Sequence, residues 1–316
     1  MPATIAPVTL HRARGAFALR VARPAQPHPV GTVLCLHGFP DTAGTFDPLL
    51  DTLADAGFVA AAPTLRGYRP SPVVGPFDLD TLADDALDLA AALSPDDPVH
   101  LVGHDWGAAI AVVAAQRHPR RVARLVTLAV PHPLAFLRAL PRAPRQAYQS
   151  AYMAFFQLPA LPERALRDTD LVGALWRRWS PAWTPPPDLL DAARASVRAS
   201  LPGPLGPYRA MLRPLRASLA RIVRGDAPVR APTLHVYGDR DGCMDAATHR
   251  DNGHYFQGEY DSLCVPGVGH WPHREAPDGV LPRVREWLAA GGGGLAVRAG
   301  GGTEPPRRYA PRWVTG

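Results

Sequence analysis

The chain has 316 residues, 47% of them apolar and 20% charged, enough for one large α/β domain or a domain carrying an insertion. Its formal charge of +6 comes from arginine without any lysine, and no arginine run interleaved with aromatics marks a nucleic-acid groove. No stretch approaches the ~18 apolar residues of a membrane span, and Cys35, Cys243 and Cys264 lack metal-ligand spacing.

Short apolar runs closed by glycine or proline set the rhythm. The first is "TVLCLHG", residues 32–38, followed at once by "HGFP", residues 37–40. Apolar on both faces, such a run fits an interior strand of a parallel sheet. Its Cys35, like Cys264 further on, is expected to be a buried thiol. "FVAAAP", residues 58–63, is the second run, and "RGYRPS" follows it. In "DLDTLADDALDLAAAL" the positions Leu79, Leu82, Ala86, Leu89 and Leu93 step by three and four, one face of a helix, with Asp78 placed to cap its start. The alternation of strand and helix predicts an α/β fold.

"VHLVG", residues 99–103, runs into Gly103-His104-Asp105-Trp106-Gly107 and then an Ala- and Val-rich helix. That is the setting of a nucleophile elbow, with aspartate where serine is usual. The two glycines suit a turn whose backbone segments touch. A capping aspartate in a glycine-flanked turn is the plainer alternative. The Phe39 and Trp106 N–H groups are candidates to converge on one oxyanion. His104 and His37 are expected to be structural.

After "VARLVTLAV", residues 122–130, the rhythm stops near Pro131 and resumes near Pro232. The stretch between is helical in pattern, rich in proline and arginine, and carries Trp176, Trp179 and Trp183; it reads as an inserted cap. "PTLHVYG", residues 232–238, leads to "GDRD", whose Asp241 is the candidate acid, with Asp239 as its rival. "SLCVPG" leads to "GVGHWPHREAP", where His270 is the candidate base and His273 is expected at the surface. Nucleophile, acid and histidine come in the order this kind of site uses. The expected division is a core of 1–131 and 227–290, a cap of 132–226 and a flexible tail of 291–316.

"HGFP", "RGYRPS" and "GHDWG" resemble, in spelling and order, the motifs of the α/β-hydrolase superfamily in its epoxide hydrolase branch, over residues 7–289. The family usually has glycine at the position of Arg69. The resemblance implies an α/β-hydrolase fold, a mostly parallel sheet covered by helices with an inserted helical cap. It also implies two cap tyrosines as proton donors. Tyr152 in "AYMAFFQLP" resembles the first and Tyr208 in "GPYRAM" the second. Tyr148, one helical turn before Tyr152, is an alternative donor. Trp106, Phe39, Phe155 and Tyr148 are the expected substrate contacts.

An aspartate nucleophile points to substitution at saturated carbon. Attack gives an ester whose carbonyl water can then hydrolyse; a serine would give a stable ether. Epoxides and alkyl halides both fit that chemistry; the cap tyrosines that the resemblance implies favour a small apolar epoxide and water as substrates. Neither cofactor nor metal is expected, nor a nucleic-acid or membrane partner. With no charged segment and apolar run at its start, the chain is expected to be soluble and cytoplasmic. A halide leaving group is the alternative, but haloalkane-type relatives often have asparagine where this chain has Phe39. Haloacetate-type relatives have arginine where it has Trp106. A non-catalytic relative would generally lack the nucleophile or the histidine, and both are present.

Overall fold

A computed structural model describes residues 4–211 and 228–290. Its eight strands form one sheet in the order β1-β2-β4-β3-β5-β6-β7-β8. They are β1 (Ala6–Arg12), β2 (Gly15–Ala22), β3 (Gly31–Leu36), β4 (Phe58–Pro63), β5 (Val99–His104), β6 (Val122–Leu128), β7 (Thr233–Gly238) and β8 (Tyr260–Val265). From β4 to β8 every pairing is parallel, while β1–β2 and β2–β4 are antiparallel.

Each expected interior strand forms, because its side chains are buried on both faces. Leu34 and Leu36 of β3 join Leu101 and Leu125 beneath the helices Leu79–Leu93 and Trp106–Arg117. Val33 and Cys35, one residue out of phase, join Val102, Val126 and Leu234 beneath Asp47–Asp55 and Pro277–Ala289. Each fully buried leucine contributes about 1.5–3 kcal/mol relative to exposure. The Asp78 cap is in place, its carboxylate accepting from the Thr81 N–H at 3.0 Å.

Two details differ from expectation. Residues 6–22, assigned no element from the sequence, form the antiparallel pair β1–β2. Along most of β2 only alternate residues, Phe17, Leu19 and Val21, face the first core, so no continuous apolar run announces the strand. Cys264 is exposed, since β8 lies at the sheet edge and half its side chains face out.

Helices between Pro133 and Ala210 lie over the carboxyl ends of the strands and share a core of Phe156, Leu175, Trp176, Trp179 and Tyr208 with Phe39 and Trp271. The Trp176 indole N–H donates to the Pro40 carbonyl at 2.8 Å, fastening this layer to the loop after β3. Arg69 is a second fastening. Its N–H donates to Ser200 Oγ at 2.8 Å and its Nε to the Ala199 carbonyl at 3.1 Å. The expected boundary at 226/227 and the expected tail 291–316 lie outside the described residues. Among the described residues, no helix is long and apolar enough to cross a membrane.

Chain order reverses at β3, which lies between β4 and β5. In open parallel sheets the crevice outside such a reversal is where ligands bind. Here it brings the loop after β3 beside the turn after β5.

Candidate active site

β5 ends in a turn that only this glycine pattern permits. A Cβ on Gly103 would overlap the Gly107 carbonyl, and one on Gly107 would overlap the carbonyl of Leu36. Between them Asp105 takes φ 52°, ψ −120°, a conformation that costs a non-glycine residue about 1–3 kcal/mol. Its side chain makes no capping bond to the helix behind it, so the capping alternative fails. The carboxylate points into the crevice instead, 4% exposed, with Oδ1 accepting from the Phe39 N–H at 2.8 Å. Gly38 admits that approach, because a Cβ there would run into the Asp105 side chain. Trp106 opens the following helix, where backbone N–H groups lack intrahelical partners.

β7 and β8 supply the other two groups. Asp241 accepts from the N–H groups of Cys243 and Met244 at 2.6 and 3.0 Å through Oδ1, and its Oδ2 lies 2.8 Å from His270 Nδ1. That contact fixes the ring so that Nε2 lies 3.5 Å from Asp105 Oδ2. Asp239 points away, exposed, and accepts from the Gly267 N–H. His270 is pushed up to about 10. Burial opposes the charged ring, but the Asp241 charge, the nearby Asp105 carboxylate and the bond to Asp241 together outweigh it.

A buried polar layer supports this trio. His104 Nε2 bonds the His270 carbonyl at 2.8 Å, and burial together with the nearby His270 charge pushes the His104 ring down to about 3. His37 bonds the Gly38 carbonyl and accepts from the Leu65 N–H, joining two loops. His273, expected at the surface, is instead buried. Its ring stacks on Phe46 at 5.1 Å and bonds Thr45 Oγ1 at 3.0 Å, because the short helix Pro272–Glu275 turns it inward. Asp41, unnoticed in the sequence, accepts from Trp271 Nε1 at 2.9 Å, and burial pushes its carboxyl up to about 7 against that bond. Its only signal was an acidic residue directly after "HGFP".

Above the trio the rings close in. Tyr208, 1% exposed, lies 5.4 Å from Phe39 and 5.1 Å from Trp106, centroid to centroid, and Tyr152 lies 5.8 Å from Tyr208. Burial holds both phenols well above their ordinary value, as does the Asp105 charge. The Tyr208 hydroxyl is buried with the Trp106 and Tyr152 side chains as its bonding neighbours, while that of Tyr152 lies 3.6 Å from the buried Cys243 Sγ.

Tyr148 is not among them. It is 70% exposed and lies beneath the Arg178 guanidinium. The helix Pro144–Gln149 ends there and Ala151–Phe155 starts anew, so the turn that would align Tyr148 with Tyr152 is broken. Gln146 and Gln149 face inward in its place. Phe155 is half-buried on the flank of Phe156, and it is Phe156 that meets Phe39 and Tyr208. A small cavity beside these rings is walled by Leu65, Tyr68, Leu82 and Pro207. Among the described residues, no cluster of His, Cys, Asp and Glu is placed to hold a metal ion.

Comparison with known proteins gives the family and the fold. The α/β hydrolase fold family matches residues 31–277. The AB hydrolase superfamily protein YfhM of Bacillus subtilis is 30% identical over 81% of this chain and 89% of its own. Epoxide hydrolase 3 of Xenopus tropicalis is 29% identical over 81% and 71%. In fold, the crystal structure of epoxide hydrolase A from Mycobacterium thermoresistibile superposes with a TM-score of 0.74 at 24% identity, covering 90% of this chain and 98% of that one. The chain belongs to the α/β-hydrolase fold family and is an epoxide hydrolase-like member of it.

Proposed function

We propose that the protein hydrolyses an epoxide to a diol through an ester on Asp105, beneath a cap formed by the helices between Pro133 and Ala210. One observation carries this reading: the Asp105 carboxylate has one oxygen on the Phe39 N–H and the other near His270, under two protonated tyrosines. Oδ2 attacks an epoxide carbon and the C–O bond breaks. Tyr152 and Tyr208 donate to the oxygen that leaves carbon, which would otherwise become a full alkoxide. The Tyr208 hydroxyl, buried beside Trp106 and Tyr152, supports this role.

The ester is then hydrolysed at Cγ. His270 takes a proton from water, the hydroxide adds to the carbonyl, and the charge on Oδ1 falls on the Phe39 N–H with Trp106 N–H beside it. Alkylation removes the Asp105 charge, one of the causes that keep His270 protonated. Its loss favours the neutral ring that the second step needs. Asp241 holds the ring and stabilises it once charged. The aromatic and aliphatic side chains gathered over Asp105 suit an apolar substrate.

The Trp179 indole favours a second reading. Its N–H is buried without a partner, and its ring lies 5.1 Å from His270 and 5.2 Å from Tyr152. With Trp106 it would give a departing halide two donors, leaving the tyrosines idle. A panel of epoxides, haloalkanes and haloacetates separates the two readings. Single turnover in oxygen-18 water tests the ester: the first diol should be unlabelled and the label should enter Asp105. Label wholly in that first diol would refute it.

A further inference from the structure

Residues 178–180 leave the helix Leu171–Trp179 and pass between the two loops that carry Asp241 and His270. The Gly242 N–H donates to the Trp179 carbonyl at 3.0 Å. Both loops have glycine where they meet the segment. A Cβ on Gly242 would overlap the Arg178 carbonyl, and one on Gly269 would come within 2.5 Å of Ser180 Oγ. Ser180 Oγ accepts from the His270 N–H at 2.9 Å and donates to Glu275 Oε1 at 2.6 Å. Glu275 also accepts from the Trp271 N–H at 2.9 Å and, through Oε2, from the Gly269 N–H at 2.7 Å. Three consecutive amides, 269 to 271, thus end on one hydroxyl–carboxylate pair, whose hydroxyl belongs to the helical layer.

We infer that Ser180 and Glu275 are positioning residues for His270, coupling the seating of the helical layer to the ring that must activate water. The inference rests on the reading of His270 as the base. A hydroxyl that accepts from one amide and donates to a carboxylate has no rotational freedom left. The His270 backbone is therefore fixed along the chain by Glu275 and across it by Ser180. Neither residue bonds Asp105, whose approach to substrate is set by Gly38, Phe39 and the elbow. Loss of the clamp should therefore affect the two chemical steps unequally.

The test follows styrene oxide as a mass adduct on the quenched protein, which resolves ester formation from ester decay. Ser180→Ala should slow decay about tenfold or more, as a small misplacement of a reacting group does, and leave formation within about twofold. Glu275→Gln, which replaces one accepting oxygen by a donor facing an N–H, should do the same. In both variants the low-field His270 Nδ1 proton, observed by NMR, should shift or broaden. Equal slowing of both steps, unchanged decay, or an unmoved proton overturns the inference. If the wild-type protein forms no adduct, the ester reading falls instead, and the proton signal still decides for or against the clamp.

Discussion

At the strand ends Asp105, Asp241 and His270 are held by backbone. Glycines admit chain crossings, main-chain N–H groups bind both carboxylates, and the His270 amide sits on Ser180. In the helical layer Tyr152 and Tyr208 are held mainly by rings. Backbone contacts tolerate almost no displacement, whereas ring packing tolerates substitution of similar shape. The contrast suits the proposed chemistry, in which attack and hydrolysis would need fixed distances while the helical layer would adapt to its substrate.

The greatest loss is expected at the fixed end. Asp105→Asn should lower kcat about ten-thousand-fold or more, measured with any accepted epoxide. It should also move the His270 titration, because the Asp105 charge is one of the causes holding the ring at about 10. NMR titration should find the ring lower in the variant. A folded value raised from 6.5 to about 10 gives a stability contribution that is complete below 6.5 and disappears as pH rises through 10. Melting temperature should accordingly fall across that window in the wild type and less steeply in Asp105→Asn. Parallel curves would mean that Asp105 does not hold the proton.

Gly107→Ala probes backbone fixing directly. The added methyl would enter the Leu36 carbonyl, so the elbow must open; overpacking of this kind costs about 1–3 kcal/mol. Denaturant unfolding measures the cost, and loss of activity should exceed it. The same rigidity explains why this part of the molecule is legible in sequence. Glycines around Asp105, the loop after β3 and the ends of β7 and β8 are local signals with one steric solution. The helical layer has no such signal. Whether Tyr148 faces in depends on where a helix breaks, and the break at Ser150 follows from docking Gln146 and Gln149 onto the Asp241 loop. Asp41 and Ser180 were silent for the same reason, because their partners lie 230 and 90 residues away.

Tyr208→Phe should separate function from stability. Removal of the hydroxyl should slow ester formation by roughly ten- to a hundredfold. The phenyl ring keeps its contacts with Phe39, Phe156 and Trp106. The lost hydroxyl is buried with the Trp106 and Tyr152 side chains as its bonding neighbours, which contribute about 0.5–1.5 kcal/mol at most. The variant should therefore be much less active and at most that much less resistant to urea. A larger loss of stability would show that the hydroxyl is held for the fold.

The smallest effect is expected four residues before Tyr152. Tyr148 is exposed and touches Arg178 only by a surface cation–π contact, which is worth about 0.5–1 kcal/mol at such sites. Tyr148→Ala should change stability by no more than that and leave kcat/KM within about twofold, whereas Tyr152→Phe, a far milder change, should slow ester formation. If Tyr148→Ala proved the more damaging, the helices Pro144–Gln149 and Ala151–Phe155 would have to join into one continuous turn when substrate binds, bringing Tyr148 beneath Tyr152 and the two glutamines out of the Asp241 loop. The adaptable part of the site would then be this helical break, not the ring cluster.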